Sequence, residues 1–254
     1  MDYTIAENYT LPSQGKIYGV NVNPNVKIRS MTTQEEMKRL APSEGLPYKN
    51  ICEIIDDCLV EKPGISVYDM HLGDYQYLLH KLRVVTYGDE YPLRSQCPFC
   101  NAINQETINL NDIQVFDFDE EKFKSYFEFD LPKSGRHIKL RMQTPRILDE
   151  IQSRADEFKK KSRNFVGDPA FLISIEMMIA EIDGKKPNPL NISDFVKNLP
   201  MMDTNVIVKH CHKINESIGL DTLLDNTCDV CGLTYEARFR TNNEFFGPTI
   251  DIWW

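Results

Sequence analysis

The chain has 254 residues, of which 41% are hydrophobic and 26% are charged, proportions of an ordinary globular protein that exclude a fibrous repeat or wholesale disorder. That length suits one large domain or two small ones and is enough to bury a core without a disulfide scaffold. The 29 basic residues are outnumbered by 38 acidic ones, a net charge of −9, which disfavours general binding to nucleic-acid phosphates and suits a partner with a basic surface.

The N-terminal residues, the apolar runs and the cysteine count indicate the compartment in which the protein is expected to fold. Its first residues lack the basic and apolar regions of a secretory signal, and no apolar run reaches the roughly 18 residues of a membrane helix. The cysteine count is seven. An odd number without an export signal favours a reducing compartment over a disulfide framework.

The N-terminal third begins without a helical period. Residues 1–30 contain scattered proline, glycine and asparagine, and we interpret them as an extended arm with a short strand near 26–29. Thr33 followed by Glu36 matches a capping box and predicts the start of a helix. The prolines within 42–47 predict its end.

The next segment alternates between helical and strand-like patterns. Apolar residues at helical spacing predict a helix over 51–59. Asp74 is a plausible N-cap for a helix that continues to about residue 83. Residues 84–87 are β-branched or aromatic and favour a strand, as do residues 106–110.

The second half is richer in helical patterns. Alternating residues over 126–131 and 137–142 predict a hairpin. Helical spacing, in two cases after a proline, predicts further helices over 145–161, 169–182, 193–199 and 203–217. Short strands are expected at 222–224 and 233–239.

Four cysteines form two Cys-x-x-Cys turns: Cys97 with Cys100, and Cys228 with Cys231. Cysteines three positions apart in a tight turn can direct both sulfurs at one point, so each pair can supply half of a tetrahedral four-thiolate zinc site. Asn101 and Gly232 follow the turns, and both residue types adopt positive φ readily. The sequence therefore predicts one structural Zn²⁺ per chain, because four thiolates leave the metal no open position for catalysis.

The separation of the two turns is unusual, since 127 residues lie between positions 100 and 228. We therefore predict an α+β fold with a zinc-ribbon-like β base of two Cys-x-x-Cys hairpins, a large inserted, mainly helical domain and an extended N-terminal arm. The predicted parts are the arm (1–30), the helical and zinc-clasped base (31–111 with 221–244), the insertion (112–220) and an aromatic C-terminal tail (245–254).

Other interpretations of the cysteines and histidines are weaker. The two turns could be unrelated loops, or a redox pair, but a redox turn favours a helix N-terminus and neither turn precedes a predicted helix. His210, Cys211 and His212 are adjacent in a helical pattern, so they point in different directions and cannot share a metal from one face. Cys52 and Cys58 lie on an apolar face and are expected to act as small core residues.

The end of the sequence is strongly aromatic and contains both tryptophans of the chain. Aromatic side chains dominate interface energetics and are costly to leave exposed. Either this tail packs on its own domain or it docks on a partner. The residues considered for partner binding are Phe245, Phe246, Trp253 and Trp254.

A set of short motifs resembles one known family. The motifs are LPSQG at 11–15, IRSMT at 28–32, LRxxTYG at 82–88, CPFC at 97–100, IGLD at 218–221, CDVCG at 228–232 and FFGP at 245–248. Together they resemble the baseplate proteins of T4-like contractile-tailed bacteriophages, which include the hub assembly proteins. The family ending reads Phe-Phe-Arg-Pro, whereas Gly247 stands at the third position here.

The resemblance implies a non-enzymatic component of the tail baseplate, in the hub or wedge region. It also implies other baseplate and tail proteins as partners, and either the virion tail or the host cytoplasm during assembly as the location. A small-molecule substrate is not expected. The alternatives are a zinc-ribbon module that binds nucleic acid, which requires a basic face near the turns, and an enzyme that uses His210, Cys211 or His212.

Overall fold

The computed structural model describes residues 4–41, 45–162, 167–239 and 243–246. Within these ranges the helices are α1 (Thr33–Leu40), α2 (Pro47–Cys58), α3 (Leu72–Tyr87), α4 (Glu120–Ser125), α5 (Pro145–Lys161), α6 (Pro169–Met178), α7 (Ile192–Lys197) and α8 (Met201–Glu216). The strands are β1 (Ala6–Thr10), β2 (Asn25–Arg29), β3 (Leu59–Glu61), β4 (Glu90–Gln96), β5 (Ile103–Asn109), β6 (Glu128–Asp130), β7 (His137–Leu140), β8 (Ile179–Ile182), β9 (Leu223–Thr227) and β10 (Thr234–Arg238).

The strands form small antiparallel sheets between the helices. One three-stranded sheet has the order β1-β2-β3 and another β6-β7-β8, while β4 pairs with β5 and β9 pairs with β10. The chain is therefore a mixed helix and sheet protein, as predicted from the sequence. None of these sheets is large enough to form a core alone, so each depends on helices that cover it.

Two main hydrophobic cores divide the chain. The first contains side chains from Leu11 to Ile113 together with Phe239, Phe245 and Phe246 near the C-terminal end. The second contains side chains from Phe123 to Ile218. Two smaller buried clusters accompany them, one of which includes Cys97 and Cys228.

The expectation of an extended N-terminal arm is wrong for residues 4–30. β1 pairs with β2 along its whole length, and Leu11 is fully buried in the first core. Ser13 donates its backbone N–H to the buried Asp74 carboxylate at 3.0 Å. The prolines and glycines shape turns between strands, and the apolar residues among them supply enough burial to hold the segment on α3.

The capping box of α1 lies one residue earlier than predicted. Thr32 is the N-cap and Glu35 closes the box, and the Arg29 guanidinium lies 2.8 Å from the Glu35 carboxylate. Hydrogen bonds from Arg29 lower the pKa of Glu35 to about 2. Glu36 instead pairs with Arg39 on the helix surface.

The third helix is longer than predicted at both ends. It begins at Leu72, where the His71 ring accepts from the Gly73 N–H at 3.0 Å, so Asp74 is a buried first-turn residue and not the N-cap. Residues 84–87 continue the helix as far as Gly88, which has a φ of 90°. The strand prediction for 84–87 is wrong because burial on one helix face outweighs the weak β preference of these residues.

Several contacts join the halves that the two cores define, and two of them are especially close. Asp149 of α5 is fully buried and accepts from the backbone N–H groups of Tyr48 and Lys49 at 3.2 and 2.8 Å, at the start of α2. Gly73 of α3 lies so close to the chain after α8 that a Cβ there would be 2.1 Å from the Ile218 carbonyl oxygen. At both places, residues of one half are therefore in direct contact with the backbone of the other half.

Candidate metal centre

Each cysteine pair occupies the turn between two antiparallel strands. β4 and β5 pair up to Gln96 opposite Ile103, and Cys97 and Cys100 lie in the turn that joins them. β9 and β10 pair up to Thr227 opposite Thr234, around the turn with the second pair. Strand pairing on both sides of each turn fixes the direction in which its sulfurs project.

The two turns have the same backbone geometry. In each, the first cysteine donates its N–H across the hairpin, to Ala102 at 2.9 Å or Leu233 at 3.0 Å, and its carbonyl accepts from the residue after the second cysteine. Those following residues are Asn101 and Gly232, with φ values of 59° and 71°. The prediction of positive φ at both positions is confirmed.

The structure brings together all four cysteines that the sequence predicted as a set. Their Sγ atoms all lie within 4.8 Å of one another. Cys97 and Cys231 are 3.7 Å apart and Cys100 and Cys228 are 3.5 Å apart. In a tetrahedral site with bonds of about 2.3 Å, neighbouring sulfurs are separated by about 3.8 Å. The arrangement therefore fits one ion with little rearrangement.

Backbone donors favour the thiolate form of Cys228. Cys97 and Cys228 are buried, whereas Cys100 and Cys231 are exposed. Backbone hydrogen bonds, first from Cys231 and then from Val230, lower the pKa of Cys228 to about 6, against the opposing effect of burial. Turn amides directed at sulfur are what a metal-binding cysteine turn requires.

A polar network ties the two hairpins together beside the sulfurs. The Tyr235 hydroxyl of β10 lies 2.7 Å from the Ser95 hydroxyl and accepts from the Asn104 side chain at 2.8 Å. The Asn226 side chain donates to Ser95 at 2.8 Å, and the Asp229 N–H donates to Asn104 at 3.0 Å. Sequence reasoning missed these residues, because isolated polar positions in short strands carry no signal of their partners.

A family model described as T4 bacteriophage base plate protein matches residues 3–247, nearly the whole chain. The chain belongs to this family. No curated protein and no solved structure matches it. Family membership supports a place in the tail baseplate of a bacteriophage, with other phage tail proteins as partners. In the described part of this baseplate protein, no helix is long and apolar enough to cross a membrane.

The remaining cysteines of the baseplate protein do not form a second site. Cys52 and Cys58 are fully buried in the first core, and burial raises the pKa of both thiols, that of Cys58 to about 12. Within the described ranges, the four turn cysteines are the only group of three or more potential ligands close enough to hold an ion.

The structure does not favour the histidine and cysteine group on α8 as a reactive site. Burial raises the pKa of Cys211 to about 12, which opposes formation of a nucleophilic thiolate. The His210 ring stacks on Phe129 at 3.8 Å between ring centroids, and its Nδ1 lies 2.8 Å from the Tyr126 carbonyl. His212 is exposed. These side chains take part in packing or lie at the surface.

The start of the aromatic tail belongs to the protein's own core. Phe245 is fully buried and Phe246 nearly so, and the buried Arg83 side chain donates to the Phe245 carbonyl at 2.9 Å. Partner binding by these two rings is therefore a wrong prediction, because the first core already covers them. Trp253 and Trp254 lie outside the described residues.

Proposed function

We propose that the chain is a non-enzymatic structural or assembly component of a contractile-tail baseplate, in its hub or wedge region. In this proposal it docks on other baseplate proteins, in the virion tail or in the host cytoplasm during assembly. The family match over residues 3–247 carries the proposal.

We further propose that Cys97, Cys100, Cys228 and Cys231 bind one structural Zn²⁺. The donor set supports zinc, because four cysteine thiolates in tetrahedral arrangement are a common structural zinc site. Bound zinc would supply a crosslink between the two hairpins and no open coordination position for a substrate. The chain's own contribution is the pair of matched turns, which hold the sulfurs near the required spacing before the metal arrives.

The positions of the two cores support the proposed division into a base and an insertion. Residues 31–111 contribute to the first core, and the second core lies within 112–220. The first core also receives Phe239 and Phe245 from beyond the insertion. In the proposed organisation, zinc joins the two ends of the base because β4–β5 precedes the insertion and β9–β10 follows it.

Partner binding by Trp253 and Trp254 stays a proposal based on the sequence. A truncation after residue 248 tests it, because the cut spares Phe245 and Phe246, which belong to the first core. We expect the truncated protein to keep its zinc and its thermal stability but to lose co-assembly with other baseplate proteins. Unchanged co-assembly would remove the tryptophans from the docking role.

The experiment that tests the proposed function combines metal analysis with assembly. Purified chain is expected to contain one zinc per molecule by elemental analysis. Phage that lacks this chain is expected to form no complete baseplate by electron microscopy, and the wild-type gene supplied in trans should restore it. Complete baseplates in its absence would contradict the structural role, whereas a metal-free purified protein would contradict only the zinc site.

The nucleic-acid alternative gains no support from the surroundings of the turns. Arg94 is the only lysine or arginine within residues 94–105 and 226–235. Arg238, further along β10, is paired with Glu216 at 3.6 Å. A surface that binds phosphates needs unpaired cations in a patch. Filter binding with a salt titration would detect such an activity as a steep loss of affinity with added salt.

A further inference from the structure

Four large apolar side chains are exposed on and beside the cysteine turns. Val230 is 74% exposed and Phe99 is 61% exposed, and each occupies the third position of its Cys-x-x-Cys turn. Ile103 and Leu233, which follow the turns, are 75% and 49% exposed. We call these four residues the cysteine-turn surface. The two turns lie side by side, since their sulfurs are within 4.8 Å of one another, and apolar side chains exposed together mark an interaction site more often than scattered ones do.

The cysteine-turn surface lies on a rigid support. The cross-turn backbone hydrogen bonds fix each turn, and the network around Tyr235 connects the two hairpins. Residues held in position before binding lose little conformational freedom when a partner covers them, so more of the burial energy appears as affinity. This support distinguishes the surface from apolar side chains on an ordinary loop.

The charges around the surface restrict what can cover it. Residues 95–105 contain no aspartate, glutamate, lysine or arginine, and residues 226–235 contain only Asp229. The whole chain carries a net charge of −9. Nucleic acid and anionic lipid headgroups would be repelled, and a second copy in a face-to-face dimer would bring like charges together.

We propose that the cysteine-turn surface docks in an apolar groove, rimmed by lysine or arginine, on another protein of the baseplate. The apolar side chains would fill the groove, and the basic rim would complement Asp229 and the net negative charge of the chain. The identity of the partner as a baseplate protein rests on the proposed function. The docking itself rests on the exposure, rigidity and charge of the surface.

Site-specific photo-crosslinking tests this docking in the full-length chain. p-Benzoylphenylalanine replaces Phe99 in one variant and Phe171, which is 49% exposed on α6, in a matched control. Each variant is supplied in trans to phage that lacks the chain, and assembled baseplates are irradiated. We expect position 99 to crosslink to a different baseplate protein, at a mapped apolar segment flanked by lysine or arginine, and position 171 to give no such product.

Three crosslinking results would overturn the docking proposal. They are products from position 99 no stronger than those from position 171, products that join two copies of this chain, and products with nucleic acid or lipid. If the wild-type gene restores baseplates but position 99 gives one of these results, the docking fails and the proposed function stands. If the absence of the chain does not impair assembly, the proposed function fails.

A double variant measures how much the cysteine-turn surface contributes to co-assembly with other baseplate proteins. Phe99→Ser with Val230→Ser is expected to weaken co-assembly by at least about tenfold, with one zinc per chain retained, whereas Phe171→Ser has no effect. Equal co-assembly of the double variant and wild type would contradict the proposal. Should the double variant lose its zinc, the crosslinking result alone decides.

Discussion

Removal of zinc is expected to lower the stability of the folded chain by a predictable amount. The sulfurs of the two measured pairs are 3.7 and 3.5 Å apart, close to the roughly 3.8 Å of a tetrahedral zinc site, so binding requires little rearrangement. Structural zinc sites bind with about 10–16 kcal/mol in peptides. The weaker end of this range, a binding free energy of about 10 kcal/mol, corresponds to a dissociation constant of about 50 nM.

The expected shift in melting temperature follows from mass action. At about 10 µM free zinc, a site with that affinity adds about 3 kcal/mol to the stability of the folded state, if the unfolded chain does not bind. For a chain of this length, each kcal/mol moves the melting temperature by about 2–4 °C. Chelation should therefore lower the melting temperature of the wild-type protein by at least about 6 °C.

Thermal unfolding followed by circular dichroism, with and without a chelator, measures the shift. Cys228→Ser removes one ligand and should melt near the chelated wild type, with little response to added zinc. Cys211→Ser is the matched control, because it also removes a cysteine but lies outside the centre, and it should keep the full response. An unchanged melting temperature after verified zinc removal, or an equal loss of response in the two variants, would refute the reasoning.

Three further predictions concern buried residues outside the cysteine set. His71 and His80 are fully buried, and burial lowers their pKa values to about 4 and about 3. Because the unfolded chain takes up these protons first, stability should fall as the pH decreases from about 6.5, by up to about 1.4 kcal/mol per pH unit for each histidine, as measured by urea unfolding. Asp149→Ala should cost about 3 kcal/mol in the same assay, because two backbone donors of α2 lose their acceptor. Gly73→Ala should cost about 1–3 kcal/mol although alanine favours a helix, because its Cβ would overlap the Ile218 carbonyl.

Each of these predictions has a control in the chain. His212→Gln, at an exposed position, should leave the acid sensitivity unchanged, whereas His80→Leu should reduce it. Glu150→Ala, which removes the exposed carboxylate next to Asp149, should cost no more than about 0.5 kcal/mol. A flat stability profile between pH 6.5 and 5, or a stable Gly73→Ala variant, would contradict the contacts described above.

Local features of this fold were predictable because their causes lie close together in the sequence. The helix over 145–161 follows from Pro145 at its first position and regular apolar spacing. The positive φ of Asn101 and Gly232 follows from the residue types that close a cysteine turn. Predictions failed where residues far along the chain decide the outcome, as for residues 84–87, part of whose side chains pack against the first core.

The spacing of the cysteines in the sequence is enough to predict their common centre but not the polar network beside it. Two Cys-x-x-Cys turns with matching following residues indicate a common centre, even though 127 residues separate them. The Tyr235 network that holds the hairpins together has no such pattern, since its members come from four strands and one turn. Only the paired hairpins reveal which polar residues face one another.

The sequence by itself determined the cysteine set, most of the helices and the likeness to a phage baseplate family, because each of these depends on residue type at short spacing. Tertiary structure alone decided that residues 4–30 belong to the core, that residues 84–87 are helical and that Phe245 and Phe246 are buried. In all three cases the free energy comes from burial against residues far along the chain. Such burial outweighs local preferences of a few tenths of a kcal/mol per residue.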